Sequence, residues 1–282
     1  LKEQRLLLDF EGIMYVGDVY LNGERIGGTD YGYVGFEIDV TKKLRFDAPN
    51  IIAVRAHTAE PLNSRWYTGG GLFRDVTLVA TNPTTWFERH PLYITTTDNR
   101  IVEIQAEIAT RARINEVPMR TVVRDADGTV VYTSTKNVPI NRKWRTMELK
   151  TDSFVVENPR LWSCETPHLY TASVAILDAE GAVMDSVAHT FGIRTIEFSP
   201  EFGMKLNGEK VILKGIANHH TLGALGAAAY PRAIEKRIQL LKEFGFNHIR
   251  TAHNPYSKSF LDLCDKYGML VVDELYDKWL TK

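Results

Sequence analysis

Three short stretches carry side chains able to grip and polarise an oxygen-rich ligand. They are Asn218-His219-His220, Arg250 with His253 and Asn254, and Asp273-Glu274. Imidazoles exchange protons near neutral pH, guanidinium groups fork onto paired oxygens, and carboxylates accept hydrogen bonds from hydroxyls. Several chemistries compete for such a set. A metal centre needs convergent ligands, yet His219 and His220 are adjacent, so their side chains diverge, and the His-x-His spacing of hydrolase barrels is missing there. A nucleophilic triad is poorly supported: there is no G-x-S-x-G, and neither Cys164 nor Cys264 sits in a catalytic signature. Gly69-Gly70-Gly71 lacks the strand before it and the helix after it that a phosphate cradle requires, and reads as a turn. Sugar binding remains. It combines charged and amide groups with aromatic platforms, and Arg65-Trp66-Tyr67 offers such a pair of rings, for which core packing is the alternative. His248, inside an apolar run, reads as a packed core residue.

The elements around these residues explain why they could meet. Pro231 suits a first helical position, and Ile234, Ile238, Leu241 and Phe244 then repeat at helical spacing as one buried face, closed by Gly245. Phe246–Arg250 follows as an apolar strand. Ser257 can cap a second helix carrying Phe260, Leu261, Cys264 and Tyr267, ended by Gly268. Met269–Asp273 is a further strand, apolar as parallel strands buried on both faces are. Strand–helix–strand–helix–strand implies a parallel sheet, open or closed into a barrel. Functional side chains stand at the C-terminal ends of such strands, where all three stretches fall. Met204–Leu206 and Lys210–Gly215, flanking Asn207-Gly208, read as a hairpin.

The preceding residues read as strands instead, Leu6–Phe10 and Tyr15–Leu21 as apolar runs and the next three segments by period-two alternation. Leu6–Phe10, Tyr15–Leu21, Phe36–Val40, Ile52–Ala56 and Asp75–Val79 predict an antiparallel sheet domain, with a hairpin turn at Asn22-Gly23. Asn82-Pro83 breaks the run. Leu92–Thr96, Ile101–Ile108, Thr121–Arg124, Val130–Thr133, Thr146–Leu149, Tyr170–Leu177 and Val183–Thr190 then make seven short strands, the number of an immunoglobulin-like sandwich. Turn signals stand at Asp98-Asn99, Asp127-Gly128 and Glu180-Gly181.

Composition narrows the partners. With 34 Lys and Arg against 35 Asp and Glu, the 282 residues carry a net charge of −1, which argues against a general electrostatic grip on nucleic acid or an anionic membrane. No apolar run has the ~18–20 residues of a membrane span. Two cysteines exclude a disulfide scaffold. The chain opens without Met or a leader and stops after an apolar strand, so both ends read as cut. The compartment, cytoplasmic or periplasmic, is left open.

These pieces together resemble glycoside hydrolase family 2, the β-galactosidase and β-glucuronidase family. Leu8-Asp9-Phe10-Glu11-Gly12 with Val19-Tyr20-Leu21-Asn22-Gly23 is similar to the opening of its sugar-binding jelly roll, and Ser64–Val76 to the end of that domain. Leu206–Lys210 through Leu213-Lys214-Gly215 resembles the start of the barrel. Asn247–Pro255 is similar to the family's N-x-x-R-x-S-H-x-P, and Val271-Val272-Asp273-Glu274 to its V-x-D-E.

The resemblance implies a multidomain chain. A β jelly-roll sugar-binding domain, incomplete at its start, would span 1–82 and an immunoglobulin-like β-sandwich 83–192. The first three strands of a TIM β/α barrel would span 193–282. It implies retaining hydrolysis of a β-galactoside or related β-glycoside through two carboxylates about 5–5.5 Å apart. The family's two glutamates follow later barrel strands, so both are expected beyond Lys282, and the chain alone is expected to be inactive. Asn218, His219, Arg250, His253 and Glu274 would belong to the substrate-binding shell. Arg65 stands where several members place an aspartate. No cofactor is implied, and nothing in the chain convincingly matches the family's metal-binding acids, so no metal ligand is assigned. Carbohydrate is the expected partner, with a homo-oligomer open. The other reading is a non-catalytic carbohydrate-binding module, and the two part on whether the gene continues past Lys282 to an Asn-Glu pair.

Overall fold

A computed structural model describes residues 1–59, 68–141, 143 and 145–276. The chain forms two compact units. Residues 1–80, 214–264 and the region from Met269 make one, and residues 81–213 with 265–268 make the other.

In the first unit, short antiparallel strands enclose an apolar core. Phe36–Asp39, Arg5–Phe10 and Val76–Thr81 lie side by side in one sheet, and Glu24–Thr29, Val16–Leu21 and Ile52–His57 in another. Alternation sets the inward faces: Gly17, Val19 and Leu21 are buried while their neighbours are not. Leu6, Leu8, Phe10, Val19, Leu21, Ile38 and Val40 form the core. Asn22 and Gly23 both take positive φ, 53° and 89°, as the hairpin there requires.

The same unit contains a three-stranded parallel sheet, Gly215–Asn218, His248–Thr251 and Leu270–Val272. Asn218 pairs with Thr251, so the first two strands end level. A Cβ at Gly215 would lie 2.1 Å from Nδ1 of His248, so the two strands approach closely only because residue 215 is glycine. The crossover helix Pro231–Glu243 starts on proline. It stops in a Schellman motif: Gly245 has φ 83°, its N–H donates to the Lys242 carbonyl, and the Phe246 N–H donates to that of Leu241. Ser257 Oγ accepts from the Phe260 N–H at 3.3 Å and caps the second helix, Lys258–Tyr267.

Three expectations are corrected here. Ile234 and Ile238 are buried, but Leu241 is only half-buried and Phe244 is 77% exposed, because Phe244 is the C-cap, where the chain leaves the helix for the left-handed Gly245. Leu270 is buried while Val272 is 49% exposed, so the third strand is not covered on both faces to its end. The hairpin strand after Asn207-Gly208 runs only over Glu209–Val211, and Gly215 opens the parallel sheet instead.

The second unit holds two sheets, one of Thr146–Val155, Ile101–Thr110 and Thr85–Thr97, the other of Val130–Pro139, Glu116–Arg124, Tyr170–Leu177 and Val183–Phe191. Their inward residues, among them Val102, Ile104, Met119, Val123, Val174 and Phe191, make one core. This is the seven-stranded sandwich that the sequence predicts. A small antiparallel sheet over Ile196–Ser199, Gly203–Leu206 and Glu209–Val211 completes the unit.

Candidate functional site

The C-terminal ends of the parallel strands bring together five of the six residues singled out from the sequence. Asn218 and His219 leave the first strand, Arg250 and His253 the second, and Glu274 the third. Arg65 and its neighbours Trp66 and Tyr67 lie outside the described residues.

Glu274 is the hub. Arg250 Nε donates to its Oε1 at 2.6 Å, and Arg250 Nη2 contacts the same oxygen. His253 Nδ1 meets Oε2 at 2.7 Å. A hydrogen bond of this kind fixes which way the imidazole faces. Burial alone would raise the Glu274 pKa, but the hydrogen bonds from His253 and Arg250 outweigh it and hold the carboxyl below its ordinary value. Glu274 is therefore ionised at neutral pH.

A buried threonine sets the hub in place. Thr251 is inaccessible to solvent; its hydroxyl donates to Asp273 Oδ1 at 2.7 Å and accepts the Glu274 N–H at 2.8 Å. The two neighbouring acids thus do different work, Asp273 tying down the strand exit and Glu274 facing Arg250 and His253. The loop after the second strand, which contains a cis Ala252–His253 peptide, is anchored to the first strand by the Ala252 N–H and the Tyr256 hydroxyl, which both donate to the Asn218 carbonyl.

His219 faces His253 across the mouth. The ring centroids are 5.6 Å apart and nearly perpendicular. Burial first, and then the charge of His253, lower the pKa of His219. Arg237 donates to the His219 carbonyl at 3.0 Å from the crossover helix. Asn218 directs a buried Nδ2 that has no hydrogen-bond partner among the described residues.

His220 does not join them, which corrects the expectation that three histidines converge. As neighbours on an extended chain, His219 and His220 point oppositely. His220 packs against Tyr33 and Phe73, at centroid distances of 5.3 and 5.5 Å. Burial and the nearby Arg74 charge push its pKa down to about 4. Among the described residues no three His, Cys, Asp or Glu side chains are grouped so as to hold a metal ion.

Some participants had no signal in the barrel-like sequence because they come from the antiparallel sheets. Tyr31 donates to Oδ1 of Asn254, 3.0 Å away and next to His253. Arg74 donates to the carbonyls of Tyr33 and Pro255 at 2.8 and 2.6 Å, pinning the same loop. Tyrosines in turn-rich sequence look like any other surface residue until the fold places them.

A set of imidazole, guanidinium and carboxylate groups thus stands on consecutive parallel strand ends, reinforced from an antiparallel β domain of the same unit. Residues 1–66 match the family description "Glycosyl hydrolase 2 galactose-binding domain-like", residues 76–194 "Glycosyl hydrolases family 2", and residues 201–277 "Glycosyl hydrolases family 2, TIM barrel domain". The chain belongs to glycosyl hydrolase family 2. It is 36% identical over 283 residues to the β-galactosidase BoGH2A of Bacteroides ovatus, which takes in 98% of this chain and 32% of that protein. Its fold is similar to a family 2 member from Bacteroides cellulosilyticus, with TM-score 0.89 and 37% identity over 97% of this chain and 38% of that one. A Bacteroides uniformis β-glucuronidase superposes with TM-score 0.86 at 28% identity, over 97% of this chain and 34% of its own. The chain spans about a third of the length of these relatives.

Proposed function

We propose that this chain forms a sugar-binding portion of a retaining β-glycosidase, with β-galactosides as the first substrates to test. One observation carries the reading: Arg250, His253 and Glu274 form a connected hydrogen-bonded cluster at the ends of consecutive parallel strands, with His219 opposite. In this reading His219, His253 and the Asn218 amide hydrogen-bond sugar hydroxyls, and Arg250 with Glu274 holds the floor in register. Arg65 is assigned to the sugar by the family resemblance, at a position where several members place an aspartate. Its guanidinium reads hydroxyls or a carboxylate differently from an aspartate, so uronides are the alternative substrates. The domains take the bounds 1–82, 83–192 and 193–282.

Retaining chemistry needs a nucleophile and an acid/base on opposite sides of the glycosidic bond. Asp273 and Glu274 are consecutive and already committed to Thr251 and to Arg250 with His253, so neither serves. The two catalytic carboxylates are assigned to later strands of the barrel.

The test is turnover of nitrophenyl β-glycosides by the full-length protein, with galactoside and glucuronide side by side. Hydrolysis of the β-galactoside with the β-anomer released first is the expected result. Preference for the glucuronide would redirect the substrate, and no hydrolysis of any β-glycoside would sink the proposal in favour of a binding module.

A further inference from the structure

A cleft of about 140 Å³ opens in the first unit, and none of Asn218, His219, Arg250, His253 or Glu274 lines it. Arg74 and Arg237 line it together with Glu11 and Asp75, so its formal charges balance. Backbone carbonyls already hold both guanidiniums: Arg74 donates to Tyr33 and Pro255, and Arg237 to His219 and Thr221. Such a lining offers neither a bare anion nor a bare cation a net opposite charge.

His220 adds the decisive feature. It lines the cleft, is 7% exposed, and its Nε2 is buried with no hydrogen-bond partner among the described residues. A hydrogen bond to the Thr68 backbone, of the kind that favours the protonated ring, uses the other nitrogen as donor. Nε2 of the neutral ring is then an acceptor in need of an O–H or N–H. Around it, Ser257 and Ser259 contribute hydroxyls 3.0 Å apart, and Tyr230, 62% exposed, contributes an aromatic ring.

Hydroxyl groups both donate and accept, and so match this mixture. One would donate to His220 Nε2, others to the carboxylates of Glu11 or Asp75, while their oxygens accept from the arginines and serines. A water needs roughly 10–15 Å³ of such room, so the cleft holds on the order of ten, close to the bulk of one sugar ring.

We infer that this cleft is a second binding site, for a neutral polyol of monosaccharide size. It is independent of the glycosidase reading: a chain that binds a polyol here and hydrolyses nothing would leave the inference standing.

The test is long-range 1H–15N NMR of the His220 ring in the full chain, titrated with galactose, glucose and glycerol, and with tetrahydropyran as a ring without hydroxyls. A saturable His220 shift with at least one polyol and none with tetrahydropyran is expected. Ala229→Leu, which fills the cleft, should abolish the shift, and His253→Ala should leave it intact. Should Ala229→Leu fail to fold by circular dichroism, His220→Gln is read by calorimetry and should weaken binding at least ten-fold. Overturning results are no saturable shift with any of the three polyols, a shift that survives Ala229→Leu in a folded protein, one lost in His253→Ala, or unchanged affinity in His220→Gln.

Discussion

Two carboxylates, one in each unit, are each held by several donors, and they differ in what surrounds them. Asp152 lies in the sandwich core, 2% exposed. It accepts from Thr121 at 2.5 Å, Ser134 at 2.7 Å and Tyr132 at 2.8 Å, with Lys136 at 2.9 Å. Glu274 is held as firmly by Arg250 and His253, but its side chain is 23% exposed and that of Arg250 is 45% exposed. Burial would raise the pKa of Asp152, and hydrogen bonds led by Thr121 and Lys136 more than reverse it, just as His253 and Arg250 do for Glu274. Electrostatics alone therefore does not separate the two. Access does: a sealed, satisfied carboxylate has only the fold to stabilise, whereas a satisfied but open one has a face left for a ligand.

Removing each hub should show opposite signatures. The largest effect is expected from Asp152→Ala, which strands the buried Thr121 hydroxyl and takes the shared acceptor from Tyr132, Ser134 and the half-exposed Lys136. It should destabilise the chain by about 3–5 kcal/mol in denaturant unfolding, the sum of several hydrogen bonds to a charged group at roughly 1.5–3 kcal/mol each, less the relief of the buried charge. A loss under 1 kcal/mol would show that water reaches the cluster.

Acid should act on the first unit through His220. Its folded pKa, about 4, is below the unfolded value of 6.5, so the unfolded chain takes up this proton first and stability falls as pH drops through that window. His220 stability is fully present above about pH 6.5 and lost progressively down to about pH 4, by on the order of 3 kcal/mol. Chemical unfolding from pH 7 to 4 measures it in the chain and in His220→Gln. An identical pH slope in the two would refute the assignment.

A smaller effect is expected at Thr251→Val, which keeps the shape and deletes the hydroxyl between Asp273 and the Glu274 N–H. Loss of that bridge should cost about 1–2 kcal/mol of stability. In the active full-length protein it should raise KM more than it lowers kcat, since Glu274 would still carry its charge but be less well aimed. Unchanged kinetics would mean that the hub is positioned by Arg250 alone.

Much of this architecture is legible in the residues, and the failures have physical causes. Tyr170–Leu177 is found to the residue because it ends in the apolar run Val174–Leu177 and a turn at Glu180-Gly181 follows it. Thr146–Leu149 stops six residues short because a β-bulge opposite Ile104 and Gln105 turns both Thr151 and Asp152 inward, where polar residues in sequence look like a loop. The start of Glu116–Arg124 is hidden by Pro118, tolerated because one of its two neighbouring strands begins pairing only at Met119. At the site, the histidines, Arg250 and Glu274 are readable because strand ends are where chemistry stands in such folds. Tyr31 and Arg74 are not readable, since their partners lie 223 and 181 residues away.

The central claim is that the open cluster around Glu274 serves a ligand while the sealed one around Asp152 serves the fold. His253→Ala in the full-length protein tests it most directly. Its contact with Glu274 is partly open to solvent and contributes little to folding, so stability should move by less than about 1 kcal/mol. The value of kcat/KM for the preferred β-glycoside should fall by about 2–4 kcal/mol, the cost of a hydrogen bond that strengthens in the transition state. A variant with normal kinetics and a large loss of stability would contradict the claim and make His253 a structural residue.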